Sequence, residues 1–210
     1  MAPSGVWTAS LSTVALLLGY EAVPWVVQRR HPHRLARSTH VRLRAEWFAV
    51  LSRQRGSELL AVQTLRNSVM SATMTASTAA IALMGSLTLA APTLGQGLAL
   101  QDRPLSPRLV LELLLIVQLF ASLVCSAMAV RYHNHAGFIA SMPVGSEERE
   151  RWTATGLGYL RRGGLLYSWG LRHLVMVAPA VVAILHPAAG PVAAVTVIAL
   201  LASFDRFVSR

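Results

Sequence analysis

The stretch SVMSATMTASTAAIALMGSLTLAA, Ser68–Ala91, contains no charged residue. At about 1.5 Å rise per residue, a helix of this length runs about 36 Å, longer than the ~30 Å hydrocarbon core of a bilayer. It reads as a transmembrane helix, and the rest of the chain is read outward from it. Two further runs qualify: Val6–Val27, interrupted by Glu21 and Pro24, and Leu109–Val130, charged only at Glu112. The apolar region Gly164–Phe204 is too long for one span. His186-Pro187-Ala188-Ala189-Gly190-Pro191 breaks it, since two prolines and a glycine so close together signal a turn. A helical hairpin is expected there, Leu165–Leu185 and then a short Val192–Phe204, with a re-entrant pair as the alternative.

Composition agrees. Hydrophobic residues make up 54% of the 210-residue chain and charged residues 13%, against roughly 25% charged in soluble domains. Lipid is therefore the expected solvent. The formal charge is +10, and all nineteen basic residues are arginine. So basic a chain could bind nucleic acid. However, these arginines lie between apolar segments and form no single basic face, so nucleic acid is not an expected partner. The lone Cys125 excludes an intrachain disulfide and any CxxC metal site. The N-terminal Met1–Gly5 carries no basic residue, so Val6–Val27 is expected to remain as an anchor rather than a cleaved signal.

Arginine placement sets the orientation, because basic loops resist translocation. Gln28–Asn67 holds nine arginines, Arg131–Arg172 holds six, and the tail adds Arg206 and Arg210. The opposite side holds only Arg103 and Arg108. The expectation is an all-α integral membrane protein with one membrane domain over residues 1–210. It has five transmembrane helices, its N-terminus outside, its C-terminus cytoplasmic, and a multi-pass location in the cell inner (plasma) membrane.

Two cytoplasmic segments, about 38–55 and 146–162, read as amphipathic interfacial helices. In the first, Val41, Ala45, Phe48 and Leu51 recur at helical spacing, with Arg42, Arg44, Glu46 and Arg53 between or beyond them and Trp47 as an interface anchor. Ser57–Arg66 is expected to run directly into the second span. In the other segment, Pro143-Val144-Gly145-Ser146 is a turn. Glu147, Glu148 and Glu150 then suit a helix first turn, and Trp152, Leu157 and Leu160 are placed along the membrane face. Anionic lipid headgroups are the expected partners of this arginine-rich face.

Ionisable groups at membrane depth are functional candidates, since their desolvation is costly. Glu21 lies six residues before the end of its span, about 9 Å inside. The topology places the start of helix two (Gln63, Arg66, Asn67) and the end of helix three (Arg131, His133, Asn134, His135) at the same depth, so a polar cluster is expected among these residues and Glu21. The competing reading is an internal ion pair or hydrogen bond that only fixes helix packing. On a helix, His133 and His135 point about 200° apart and cannot share a metal. In an extended segment they lie on one side, and with Glu21 they are chemically adequate for zinc or another divalent ion. No cofactor is specified. His31 and His33 sit in an arginine-rich loop and read as solvated. Gln63, Asn67, Ser71, Thr75 and Thr78 form a polar stripe on helix two, and Gln118, Ser122 and Ser126, with His133, another on helix three. Such stripes either let membrane helices pack closely or line a hydrophilic path.

Ala61-Val62-Gln63-Thr64-Leu65-Arg66-Asn67-Ser68, Ala76-Ser77-Thr78-Ala79 and Arg131-Tyr132-His133-Asn134-His135-Ala136-Gly137-Phe138, together with Gly19-Tyr20-Glu21, resemble the membrane-protein family catalogued as domain of unknown function 599. The resemblance covers roughly Leu16–Phe204. It implies a multi-helix membrane protein and no established activity. Walker, GxSxG, HExxH and Rossmann motifs are absent, and no nucleophile–base pair is evident. No catalytic residue is assigned, and an enzyme is the less favoured class. The favoured reading is an oligomeric channel or transporter for an ion or small solute, a homo-oligomer because five short helices enclose little volume. The alternatives are a metal- or haem-binding membrane protein using His133 and His135, and a non-catalytic interaction subunit.

Overall fold

The computed structural model describes residues 3–30, 36–98 and 105–205, and every regular element among them is helical. In chain order these are α1 (Pro3–Arg30), α2 (Ala36–Leu51), α3 (Glu58–Leu98), α4 (Pro107–Ser141), α5 (Glu147–Leu185) and α6 (Gly190–Asp205), with a 3₁₀ turn Pro187–Ala189 before α6. Four segments among the described residues are long and apolar enough to cross a membrane: Glu58–Gly95, Pro107–Ser141, Glu147–Leu185 and Pro187–Phe204. His31, His33, Arg103, Arg206 and Arg210 lie outside the described residues.

Packing fixes the relative directions. Leu17 of α1 packs with Leu114, Met176 and Ala194, and Glu21 meets Gln118 and His173. Residue numbers thus rise together along α1, α4 and α6 and fall along α5. In the same way, Ala61 and Leu65 of α3 pack with Ala136 and Ile139 of α4, while Leu83 packs against the Leu115 and Leu119 end. The start of α3, the end of α4 and the start of α5 therefore gather at one end of the bundle, with α2 beside them.

The connections have local causes. Ser106 accepts a hydrogen bond from the Leu109 N–H at 3.1 Å, and Pro107 follows it at the first helical position. Ser146 caps α5 by accepting from the Arg149 N–H at 3.2 Å, ahead of Glu147, Glu148 and Glu150 in the first turn. The expected turn at Pro143–Ser146 is present. Gly145 takes φ +91°, a left-handed conformation that side chains resist. The Glu58 carboxylate accepts from the Val144 N–H at 3.0 Å and ties the start of α3 to this turn. At the other end, the expected His186–Pro191 break joins α5 to α6. Gly190 is pressed close to α1 there, since an added Cβ would lie 2.5 Å from the Thr13 hydroxyl.

Two expectations need correcting. The segment 146–162 is no separate surface helix. It is the first part of the 39-residue α5, and Leu160, placed on a membrane face by its sequence, is buried in protein. The segment 38–55 is a helix over Ala36–Leu51, but its apolar stripe does not face lipid. Phe48 and Leu51 close a core with Ala61, Leu65, Ala136, Ile139, Ala140 and Leu160, and Trp47 packs against it. Both departures have one cause: α3, α4 and α5 have 41, 35 and 39 residues. Each is over 50 Å long at about 1.5 Å per residue, well beyond a ~30 Å apolar layer. Their arginine-rich ends need a partner for their own apolar stripes, and α2 supplies it. Arg149 seals this core. It donates to the Ile139 and Met142 carbonyls and to Ser52, and its guanidinium lies over the Phe48 ring.

Candidate functional site

Helix α4 turns a line of polar residues into the protein. Gln118, Ser122, Ser126 and His133 are all buried, in a molecule whose other buried side chains are mostly apolar. The spacings of four, four and seven keep them on one face, and that face meets α5. The Ser122 hydroxyl donates to the Gly170 carbonyl at 2.8 Å. An added Cβ at Gly170 would stand 2.4 Å from the Ser126 hydroxyl, so this glycine sets how closely α4 and α5 approach. The line has a polar centre at each end, separated by about 22 Å along α4.

The first centre joins Glu21 of α1, Gln118 of α4 and His173 of α5. The Gln118 amide donates to Glu21 Oε1 at 2.8 Å, His173 Nδ1 lies 2.6 Å from Gln118 Oε1, and the same nitrogen is 3.0 Å from Glu21 Oε1. The three side chains close a triangle. The His173 ring stacks on Trp169 with centroids 5.8 Å apart. Its neighbour Arg172, also buried, reaches Tyr20, with Nη1 at 3.3 Å from the hydroxyl and the guanidinium over the ring. A carboxylate and an imidazole inside an apolar bundle thus satisfy each other.

The second centre is a cavity of about 300 Å³ at the arginine-rich end. Arg44 comes from α2, Thr64, Asn67, Ser68 and Ser71 from α3, His133 from α4, and Gly164 and Tyr167 from α5. Two adjacent glycines make room for it. An added Cβ at Gly164 would fall 1.6 Å from Arg44 Nη1, and one at Gly163 would lie 3.1 Å from the His133 ring. Both side chains therefore lie directly against the α5 backbone. Burial pushes the Arg44 guanidinium below its ordinary pKa. His133 Nδ1 is buried without a hydrogen-bond partner.

The expected single cluster is therefore two. His133 shares one cavity with Asn67 and a neighbouring one, of about 360 Å³, with Arg66 and Asn134. Glu21 joins neither, because it is paired with Gln118 and His173. Gln63, Arg131 and His135 are exposed, and His135 packs on the Tyr159 ring. Since α4 is helical through both histidines, His133 and His135 point to different sides. His133, His135 and Glu21 form no common metal site, and no group of three metal-ligating side chains occurs among the described residues. The helix-two stripe also divides. Thr75 is buried, while Ser71 and Thr78 are exposed and bond back to carbonyls four residues earlier.

Sequence reasoning missed Arg44, the Gly163–Gly164 pair, Tyr167 and His173. Arg44 had a signal: it is three residues after Val41 and four before Phe48, so it is a charge on the apolar face of α2. Arg172 and His173 lay inside the expected span Leu165–Leu185 and met the same test as Glu21, but counting Arg172 with the loop arginines hid them.

No curated protein and no solved structure matches this chain. Residues 8–210 match the family described as protein of unknown function, DUF599. That match takes in every residue of both polar centres, and the chain belongs to this family.

Proposed function

We propose that the chain is an oligomeric membrane channel or transporter for an ion or small solute, with five spans, its N-terminus outside and its arginine-rich end in the cytoplasm. The observation that carries this reading is the buried polar line Gln118–Ser122–Ser126–His133. It links a titratable centre in the bundle, Glu21 and His173, to a cavity at the arginine-rich end. Buried polar groups are costly in an apolar bundle. A packing role explains one such group more readily than four on one helix face with a cavity at their end. The exposed stripe Gln63, Asn67, Ser71 and Thr78 on α3 supports a homo-oligomer, because polar side chains on a spanning helix are better placed against another copy than against lipid.

Flux of common monovalent cations and anions into liposomes holding the purified chain tests the proposal. Measurable flux that largely disappears in Glu21→Gln is the expected result. No flux of any of these ions, from protein shown to be folded and correctly inserted, overturns it. Oligomeric state in mild detergent tests the assembly: a ring of identical subunits is expected, and a monomer removes the central-pore form.

A further inference from the structure

We propose that the cavity between Arg44 and His133 is a binding site for a phosphate-type oxyanion. The inference is independent of transport, because the cavity can hold a ligand whether or not anything crosses the membrane.

The first ground is charge. No carboxylate lines this cavity or the two recesses that share His133 with it. Arg44 has no ion pair and no hydrogen bond among the described residues, whereas Arg42, two residues away, is paired with Glu46 on the exposed side of the same helix at 2.8 Å. A partly desolvated guanidinium on the inward side, without a counter-ion, is matched to a planar or tetrahedral oxyanion by its fork of N–H donors.

The second ground is an orphaned polar group. His133 is 4% exposed and its Nδ1 has no partner. Buried nitrogens of this kind are normally satisfied. A phosphate oxygen can accept from an imidazole N–H, and a protonated one can donate to the bare nitrogen.

The third ground is the cradle. With no Cβ at Gly163 or Gly164, both the imidazole and the guanidinium are seated on the α5 backbone, which fixes two groups that are otherwise mobile. The Thr64, Ser68 and Ser71 hydroxyls donate to carbonyls of their own helix. The remaining donors around the cavity are Arg44, His133, the Asn67 amide and the Tyr167 hydroxyl.

A phosphate of this kind has two sources. Arg44 and His133 also border an apolar recess of about 320 Å³ lined by Leu43, Trp47, Leu65 and Leu160. A phospholipid could place its headgroup phosphate in the polar compartment and an apolar portion in this recess. Inorganic phosphate, or a soluble phosphate ester, would fill the polar compartment alone.

The full chain in maltoside micelles, which carry no phosphate, is titrated with inorganic phosphate. In a parallel arm, phosphatidic acid is added to the micelles. Thermal melting reads both, with native mass spectrometry counting bound lipid. Stabilisation by inorganic phosphate identifies the soluble source, and retention of phosphatidic acid with no phosphate effect identifies the headgroup. In either case Arg44→Gln and Gly164→Ala are expected to weaken binding about tenfold or more, the scale of one lost charge-assisted hydrogen bond, while Arg42→Gln leaves it unchanged. Arg44→Lys, which keeps the charge and loses the fork, gives an intermediate loss and serves if Arg44→Gln melts too early to titrate. No response to either probe overturns the proposal, and so does an equal loss in the Arg42 and Arg44 variants. A chain that binds phosphate but passes no ion retains this site and loses the transport reading. Flux without binding does the reverse.

Discussion

Glu21 Oε1 and His173 Nδ1 stand 3.0 Å apart, joined across α1 and α5 by side chains that are mostly buried. Gln118 bonds to both, so the three side chains form one unit. Replacing one member strands two others, and that makes the energetics of the triangle measurable.

A double-mutant cycle of Glu21→Gln and His173→Asn is expected to give a favourable coupling on the order of 1 kcal/mol, as is usual for polar contacts inside helical membrane proteins. Unfolding by titration with a denaturing detergent measures it. Additive effects would show that the two side chains are neighbours without being partners.

Two glycines of α5 are expected to behave in opposite ways when changed to alanine. Nothing lies within 4 Å of an added Cβ at Gly158, whereas at Gly170 it meets the Ser126 hydroxyl at 2.4 Å and the Ser122 carbonyl at 3.3 Å. Gly158→Ala should stabilise by up to about 1 kcal/mol through helix propensity. Gly170→Ala should destabilise by about 1–3 kcal/mol through overpacking. Melting of the two variants side by side gives the signs.

The docking of α2 rests on Phe48, which is fully buried between Arg149, Gly156 and the α4–α5 core. Phe48→Ala should cost about 3–5 kcal/mol of local packing and release the helix. Trypsin is then expected to cut after Arg42, Arg44, Arg53 or Arg55 well before it attacks the rest of the chain. Val50→Ala, at a 63% exposed position on the same helix, should leave the digestion pattern unchanged.

Membrane sidedness can be read with single cysteines in a Cys125→Ala background. Leu105 before α4 and Glu148 at the start of α5 are exposed at opposite ends of α4. In intact cells, an impermeant maleimide should label Leu105→Cys and spare Glu148→Cys until the membrane is opened. The reverse pattern would invert the proposed orientation, and labelling of both would deny that α4 crosses.

Helices and turns were legible because their causes are local. The uncharged Ser68–Ala91, the Pro143–Ser146 turn and the His186–Pro191 break each signal their structure within a few residues. Contacts between helices were not. Nothing near Glu21 names His173, which is 152 residues away, and the arginine count measured only which end of a helix a charge belongs to. The α2 stripe was seen, but a stripe that suits lipid also suits protein. What decides between them is how far α3, α4 and α5 extend past their apolar segments. The run of Ser57–Arg66 into α3 was legible, whereas the continuation of α4 past Val130 and the joining of 146–162 to the rest of α5 were not. His133 was found for its place on α4, while its surroundings depended on the Gly163–Gly164 pair, which only becomes meaningful once α5 lies against it.

Gly164 and His173 lie on one unbroken stretch of α5, about 14 Å apart along its axis, and the helix's internal proline, Pro179, comes after both. Turning this stretch about its axis to withdraw His173 from Glu21 would also carry Gly163 and Gly164 off their seats. Residues that bear a Cβ would then face the His133 ring and the Arg44 guanidinium, where an added Cβ meets its neighbours at 3.1 and 1.6 Å. The two glycines thus set the rotational register of α5 at one polar centre, and through the helix at the other.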